Sequence, residues 1–307
     1  MNRERQRGVA LLAAVLVVAL ATVLIAALLD RSEATFARTR NTLRAEQGWE
    51  LMRGVEGWAA DALRQDFHSE PGIDSAQDMW AQQLPPIDLP GVRIFAKLRQ
   101  ISGCLNLNDL HHNDADDAVA IVRMERLLIA LKLNPAIAAQ IADWIDADTS
   151  QRQQGAEDSA YATRRPPYRA SNQPFAHVSE LRLLAAVTPE VYATLAPHVC
   201  ALPAGSVLNL NFASEVVWMS LAEQITPNMA QRLARDGRAR YESLDRIQQE
   251  LQQLGIPPLP LSGFGTQTDW FVLEARIVAD GIPFVYSSLL HRSGQQVNVI
   301  ARSRGSL

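Results

Sequence analysis

The 307-residue sequence has only two cysteines and six histidines, and it carries no excess of positive charge. Two cysteines cannot build a disulfide-rich scaffold or a four-cysteine zinc site. Because 33 Asp and Glu outnumber 29 Lys and Arg, the net charge of −4 argues against binding to nucleic acid. No Gly-x-Ser-x-Gly, His-Glu-x-x-His or P-loop motif occurs, so we predict that the protein is not an enzyme. With 48% hydrophobic and 20% charged residues, most of the chain is predicted to fold.

Hydrophobic residues are concentrated at the start of the chain. The segment Val9–Leu29 contains 21 residues without charge, proline or glycine; as a helix it spans roughly 31 Å, close to the hydrocarbon thickness of a bilayer. Arg3, Arg5 and Arg7 precede it, so the positive-inside rule places this end in the cytoplasm and the rest of the chain across the membrane. A cleaved secretory signal, an uncleaved signal anchor and a leader cut ahead of an intact helix remain possible.

The residues just before the apolar run favour the third interpretation. A basic leader that ends in Arg7-Gly8, followed by an unbroken apolar helix, resembles the leader of type IV pilins and pseudopilins. The resemblance implies that a prepilin peptidase cuts after Gly8, and that the new N-terminal residue, Val9, is methylated. Most members carry Glu at the fifth mature position, where this sequence has Ala13. Because a carboxylate inside a bilayer needs a partner, its absence suits a subunit at a filament end and resembles the K-type minor pseudopilin of type II secretion.

Helical periodicity continues beyond the apolar segment. Leu51, Val55, Trp58 and Ala59 recur at helical spacing, and there is no proline from residue 30 to residue 67. This pattern predicts an amphipathic helix that extends the membrane span into one long rod. Two helices with a break near Asp30 are the alternative.

Strand patterns occur at two distant places in the sequence. Residues 70–91 are predicted to form a loop because they contain several Pro and Gly pairs, and alternation then predicts a strand over Val92–Ile101. Three further strands are predicted near the C-terminus, at Trp270–Val278, Phe284–Arg292 and Gln296–Ala301. We therefore predict an α+β fold: a pilin-like long N-terminal helix plus an antiparallel sheet.

The middle of the chain contains a diverged repeat. Leu105-Asn-Leu-Asn108 matches Leu208-Asn-Leu-Asn211, and the Pro-containing segment 133–141 matches 225–233. Each copy is similar to a helix-hairpin-helix unit, and K-type pseudopilins carry an inserted all-helical (helix-hairpin-helix/SAM-like) domain. The predicted boundaries are 1–8 for the leader, 9–29 for the transmembrane helix, 30–104 for the pilin-like helix and first strands, 105–254 for the inserted domain and 255–307 for the last strands. A membrane-anchored DNA-binding protein of the competence type is the alternative, although neither hairpin has the glycine that such units use to approach phosphates.

An acidic segment after the first repeated hairpin is a candidate metal site. Loop-borne carboxylates and amide oxygens suit calcium, which takes six to eight oxygen ligands, although a solvated acidic loop is the simpler interpretation of the spacing alone. The segment resembles the calcium-binding loop of K-type pseudopilins in Asp143-Trp144, the Gly-Ala-Glu-Asp run, Tyr161 and Tyr168. The resemblance implies a structural calcium site whose candidate ligands are Asp146, Asp148, Glu157, Asp158 and Asn172.

Two other groups of residues have a structural and a chemical interpretation. The contiguous run 111–117, His-His-Asn-Asp-Ala-Asp-Asp, falls where the first repeat copy carries extra residues; it is expected to be a solvated insertion or a helix start rather than a metal site. Cys104 and Cys200 precede the two repeat copies. In the periplasm they could form a disulfide that closes a loop of about 95 residues, and two buried thiols are the alternative.

The resemblance also implies a function. The protein is expected to be a minor pseudopilin at the tip of the type II secretion pseudopilus, where it supports pseudopilus initiation and the export of folded proteins. Its expected partners are the I-type and J-type minor pseudopilins, the pseudopilus, the prepilin peptidase and the inner membrane, with no nucleic acid. The expected location is the cell inner membrane, with a cytoplasmic N-terminus and a periplasmic C-terminal domain.

Overall fold

The N-terminal helix is the longest element of the protein. The structure, a computed structural model, describes residues 3–83, 85–260 and 262–305, with side chains from residue 11 onward. Helix α1 runs without interruption from Arg3 to Ser69, about 100 Å at 1.5 Å per residue. The prediction of one long rod is confirmed, and α1 has no break at Asp30.

The two halves of α1 have different surroundings. Within the described residues, α1 is the one helix long and apolar enough to cross a membrane, and an 18-residue window near its start has a mean hydropathy of 3.0 with none of it buried. In the second half, Met52, Val55, Ala59 and Leu63 follow helical spacing, are buried, and share one hydrophobic cluster with the sheet. The rod therefore leaves a folded body and continues as an uncovered apolar helix.

The other elements form one sheet and a group of short helices. The strands are β1 (Ile87–Leu89), β2 (Val92–Gln100), β3 (Leu105–Asn106), β4 (His111–His112), β5 (Ala115–Asp116), β6 (Val199–Cys200), β7 (Leu208–Asn209), β8 (Phe264–Gly265), β9 (Trp270–Ala279), β10 (Ile282–Ser293) and β11 (Gln296–Arg304). The helices are α2 (Ala118–Ala130), α3 (Ile137–Ile145), α4 (Asp158–Tyr161), α5 (Pro189–Leu195), α6 (Glu215–Leu221), α7 (Pro227–Ala234) and α8 (Leu244–Gln253). Short 3-10 turns lie at Met79–Ala81, Leu107–Asp109, Val178–Leu183, Ala196–His198, Leu210–Phe212 and Arg235–Gly237.

The main sheet has five antiparallel strands in the order β1-β2-β9-β10-β11. The four strands predicted from the sequence are all present, and β2 pairs with β9 so that Ile94 lies opposite Ile277. The turn between β9 and β10 uses Asp280 and Gly281, both with positive φ (47° and 82°), as a two-residue hairpin that follows the sheet twist requires. The loop interpretation of residues 70–91 missed the edge strand β1. Its three residues are all exposed, so no buried pattern marks it.

The repeat in the sequence corresponds to a repeat in the structure. The first copy comprises β3, α2 and α3, and the second comprises β7, α6 and α7. Asn108 is buried, and its side chain bonds both the N–H and the C=O of Phe175. Asn211 does the same with Tyr241. Each repeated Asn therefore satisfies the backbone of a distant chain segment in the core, which buried polar groups require.

Extra residues in the first copy form the β4–β5 hairpin. His111 pairs with Asp116 across it, and the next residue, Asp117, caps α2 by accepting bonds from the backbone N–H groups of Val119 and Ala120. The acidic end of the run is thus a helix start, where side-chain oxygens satisfy free N–H groups.

Candidate metal centre

Three carboxylates come together where helix α3 ends. Asp143 lies in the last turn of α3, Asp146 directly follows the helix, and Glu157 directly precedes α4. All three are buried, with exposures of 0%, 1% and 3%. Each offers an oxygen, and these oxygens lie within 4.8 Å of one another. Helix α3 packs its apolar face into the helical core, which fixes the position of its C-terminal end. Asp143 and Asp146 are therefore held next to the loop that leads into α4.

Aromatic side chains fix the loop that follows. Trp144 meets Tyr161 edge to face at 5.2 Å between ring centroids and stacks with Phe175 at 6.4 Å. Tyr161 also stacks with Tyr168 at 5.4 Å. Both Tyr161 and Phe175 are buried in the helical core. These packed aromatic side chains therefore support the loop beside the acidic cluster.

Gly155 allows the loop to approach the cluster closely. A Cβ at this position would lie 1.9 Å from Oδ2 of Asp143. No side chain fits at that distance without a shift, so the close approach requires glycine. The Gly-Ala-Glu-Asp run seen in the sequence has this steric role at its first residue.

Arg152 is the cation that faces the cluster. Its Nη1 donates to Oδ1 of Asp143 at 2.7 Å and also to Asp146. Its backbone N–H contacts both carboxylate oxygens of Asp143 at 3.3 Å. The other side of the guanidinium donates to Asp116 in the β4–β5 hairpin, with Nε 3.0 Å from Oδ2. One positive charge is thus shared among three aspartates.

Several buried oxygens at this place have no hydrogen-bond partner in the described part of the chain. They are Oδ1 of Asp146 and both carboxylate oxygens of Glu157. Oδ1 of Asn172 is also unpaired, and the Nδ2 of this residue donates to the backbone C=O of Asp148 at 3.0 Å. Buried polar atoms are rarely left unpaired in native proteins. Burial, followed by the negative charges of Asp143 and Asp146, raises the pKa of Glu157 to about 7. Burial likewise raises the pKa of Asp146.

This donor set fits a hard divalent cation. The free atoms are all carboxylate or amide oxygens, which calcium prefers over nitrogen or sulfur ligands. Two of the three buried carboxylates, Asp143 and Asp146, pair with the guanidinium of Arg152, which also pairs with Asp116. A divalent cation would supply the missing positive charge and a partner for the unpaired oxygens.

Two of the five residues expected as ligands, Asp146 and Glu157, belong to the cluster and offer unpaired oxygens. Asn172 also has an unpaired oxygen, and its side chain is joined to the same loop through the backbone of Asp148. The other two carboxylates bond to the backbone of their own loop: Asp148 accepts from the N–H of Ser150 at 2.6 Å, and Asp158 accepts from that of Ala170 at 3.0 Å.

The sequence analysis did not include Asp143 among the expected ligands, and it did not identify Arg152 as their counter-ion. Asp143 was noted only as part of an Asp-Trp pair. The three-residue spacing between Asp143 and Asp146 was the available signal, because residues i and i+3 share one helix face.

Similarity to known proteins points to one family. A profile described as type II secretion system (T2SS), protein K matches residues 103–204. The chain is 33% identical to the type II secretion system protein K of Pseudomonas aeruginosa, over 99% of this chain and 94% of that relative. This chain belongs to the type II secretion system protein K family.

Two further relatives agree with this assignment. Protein K of Pectobacterium carotovorum subsp. carotovorum is 29% identical over 99% of this chain and 98% of the relative. A chain in the crystal structure of the GspK-GspI-GspJ complex from enterotoxigenic Escherichia coli is similar with a TM-score of 0.75 and 26% identity, over 88% of this chain and 100% of that one. The predicted α+β fold is confirmed, and the protein is a minor pseudopilin of type II secretion.

The DNA-binding alternative has no support in these relatives or in the hairpins of this protein K family member. In the second copy, Thr226 caps α7 and Pro227 occupies its first turn. In the first copy, Pro135 lies in the turn before α3. Proline has no backbone N–H to offer a phosphate.

A disulfide joins the start of the helical domain to its middle. Cys104 and Cys200 are bonded, with Cα atoms 5.8 Å apart, beside the short parallel pairing of β3 with β6. The cross-link lies where the chain leaves the sheet and enters the helices, and it ties the start of the first repeat copy to the segment that precedes the second.

The predicted processing site falls at the edge of the described chain. Gly8 and Val9 belong to residues 1–10, whose side chains lie outside the described residues. Processing between them therefore stays a prediction.

A second acidic cluster lies between the end of α1 and the helical domain. Asp66, Asp74 and Asp78 offer oxygens within 4.8 Å of one another. Arg292 on β10 is 1% exposed, pairs with Asp74 and lies 3.5 Å from Asp66. Arg240 reaches Asp78 from the helical domain at 2.5 Å. Two arginines pair with these three aspartates, so the cluster is an ion-pair network that joins α1, the sheet and the helical domain.

Proposed function

We propose that this minor pseudopilin is anchored in the inner membrane by the apolar part of α1, with its N-terminus in the cytoplasm and its folded body in the periplasm. Arg3, Arg5 and Arg7 ahead of the span support this orientation. The uncovered apolar surface of α1 supports the anchor. We further propose that the prepilin peptidase cuts after Gly8 and that the new N-terminus at Val9 is methylated.

The subunit is proposed to occupy the tip of the pseudopilus. Ala13 leaves the span without the carboxylate that most pilin-like subunits carry, so the span offers no charged partner to a subunit ahead of it. Ion pairs of Arg240 with Glu70 and Asp78 hold the helical domain beside the C-terminal end of α1. The relative of similar fold was crystallised as a GspK-GspI-GspJ complex, which supports I-type and J-type minor pseudopilins as the partners of this chain.

N-terminal sequencing tests the anchor and the processing. Mature protein from secreting cells is expected to begin at Val9, and cells without the prepilin peptidase are expected to retain the eight-residue leader. Purified full chain is also expected to form a complex with its own I-type and J-type subunits in detergent. A mature chain that begins after Leu29, as a secretory signal peptide would leave it, contradicts the anchor.

We propose a structural calcium ion at the acidic cluster, held by Asp143, Asp146, Glu157 and Asn172. The observation that carries this proposal is Glu157, which is 3% exposed and has two carboxylate oxygens without a partner in the described chain. When bound, the ion supplies the charge that these oxygens lack. It would hold the end of α3 against the loop that leads into α4, and thereby stabilise the folded domain.

Thermal unfolding of the full chain in detergent micelles tests the ion. Excess calcium is expected to raise the melting temperature over the protein in EDTA, because a ligand present at 100 times its Kd stabilises by about 2.7 kcal/mol. Glu157→Gln is expected to abolish most of this shift. Glu190→Gln removes an exposed carboxylate on α5 and is expected to keep it. Equal melting temperatures of the wild type in calcium and EDTA contradict the proposal.

A further inference from the structure

Arg152 places its guanidinium against the carboxylates that a bound cation would neutralise. Its guanidinium bridges Asp143 and Asp146 on one side and Asp116 on the other. Its side chain is 22% exposed, whereas those of Asp143 and Asp146 are 0% and 1% exposed. The arginine therefore reaches from the surface and covers the buried carboxylates from the solvent side.

The oxygens that remain free are too few for calcium. Asp146 offers one unpaired oxygen, Glu157 two and Asn172 one, whereas calcium takes six to eight. The other oxygens nearby belong to Asp143 and Asp146, and they accept bonds from Arg152. A cation that uses these carboxylates must displace the guanidinium, and the two positive charges also repel each other at this distance.

Asp116 gives the displaced guanidinium a second place to bind. Both its oxygens accept bonds from Arg152, at Nε and at Nη2, so the arginine keeps a partner when it leaves the cluster. Asp116 also accepts a bond from His111, at 2.7 Å from Nδ1, across the hairpin. The β4–β5 hairpin is the insertion that distinguishes the first repeat copy from the second, and it carries this alternative anchor.

We propose that Arg152 is an internal counter-ion that competes with calcium for Asp143 and Asp146, and that calcium binding moves its guanidinium onto Asp116 alone. The inference rests on the proposed calcium site. Arg152 keeps the calcium-free domain folded by neutralising the buried carboxylates, and it lowers the calcium affinity in doing so. Calcium thereby changes the contacts of the β4–β5 hairpin, which is on the surface and distant in sequence from the ligands.

Calorimetric calcium titration of the full chain in detergent micelles tests the competition. Arg152→Gln is expected to tighten calcium binding by about tenfold, because the cation no longer has to displace a bound arginine. The same variant should melt at a lower temperature than wild type in EDTA and at a similar temperature in excess calcium. Arg152→Lys keeps the charge but cannot bridge three carboxylates, and its affinity should fall between those of the other two.

A matched control removes the same charge from the segment that follows α4. Arg169 has a side chain that is 88% exposed and lies 3.8 Å from Asp158, and Arg169→Gln is expected to change calcium affinity by less than about twofold. Asp116→Asn is expected to weaken calcium binding in wild type and to have little effect in Arg152→Gln. This loss of effect follows if Asp116 acts through the arginine.

The results separate this inference from the proposed site. If wild type binds calcium and Arg152→Gln binds it no tighter, the competition is wrong and the site stands. If neither protein binds calcium, the site itself is wrong and the inference falls with it. Hydrogen exchange gives a second readout: calcium should alter protection of residues 111–116 in wild type but much less in Arg152→Gln.

Discussion

Replacement of Asp66 by Asn should change how the stability of the protein depends on pH. Asp66 lies near the end of α1 and faces Asp74 and Asp78 from the following loop. Burial is the main cause that raises its pKa from 3.8 to about 7, and repulsion by Asp74 and Asp78 adds to it, while Arg292 opposes the rise. Burial also raises the pKa of Asp74, whose carboxylate is paired with Arg292.

The sign and the size of the effect follow from this shift. The native state holds a proton that the unfolded chain releases, so the free energy of unfolding falls as pH rises from about 4 to about 7, by about 1.4 kcal/mol per pH unit. Above pH 7 no further loss occurs. Asn has no proton to lose, so Asp66→Asn should match wild type near pH 4 and exceed it near pH 8 by about 2–4 kcal/mol.

Urea unfolding of the full chain in detergent micelles, followed by tryptophan fluorescence across this pH range, measures the difference. Calcium is kept in excess so that the Glu157 site stays in one state. Asp61→Asn is the matched control, because Asp61 is an exposed carboxylate on the same helix that pairs with Arg64, and its effect should stay within about 0.5 kcal/mol. Parallel pH curves for wild type and Asp66→Asn would refute the raised pKa of Asp66.

Three other substitutions test the packing around the candidate site and the core. Gly155→Ala should cost about 1–3 kcal/mol and weaken calcium binding, because its Cβ would displace Asp143; calorimetric titration and thermal unfolding measure both. Replacing Cys104 and Cys200 by serine should lower the free energy of unfolding by about 4 kcal/mol under oxidising conditions, and a reductant should remove the difference from wild type. Trp218→Ala should cost about 3–5 kcal/mol in urea unfolding, because this side chain is fully buried in the helical core. Unchanged stability in any of these would contradict the packing described.

The sequence predicts the elements whose signal is local. The uncharged segment Val9–Leu29 and the helical spacing after it predict a long helix, and α1 is that helix. Alternating residues predict β2, β9, β10 and β11 within a few residues of their ends. Strand β1 escaped because it has only three residues, Ile87–Leu89, and all three are exposed.

The sequence predicts where the candidate site lies but only some of its residues. Glu157 and Asp146 belong to an acidic loop that the pattern marks, but the pattern treats every carboxylate of that loop alike. Asp148 and Asp158 differ from them because backbone N–H groups already satisfy their side chains. Which oxygens stay free depends on how the loop folds on itself.

The sequence alone determined the classes of structure: a membrane-length helix, an amphipathic continuation, alternating strands and a repeated helical unit, because each depends on residues near one another in the chain. The tertiary structure decided which charged side chains meet and which of them are buried. Asp116 is 36 residues from Arg152, and Asp74 is 218 residues from Arg292, so no local period can show that they meet. Burial is also a property of the folded whole, and it is burial that raises the pKa of Glu157 and of Asp66.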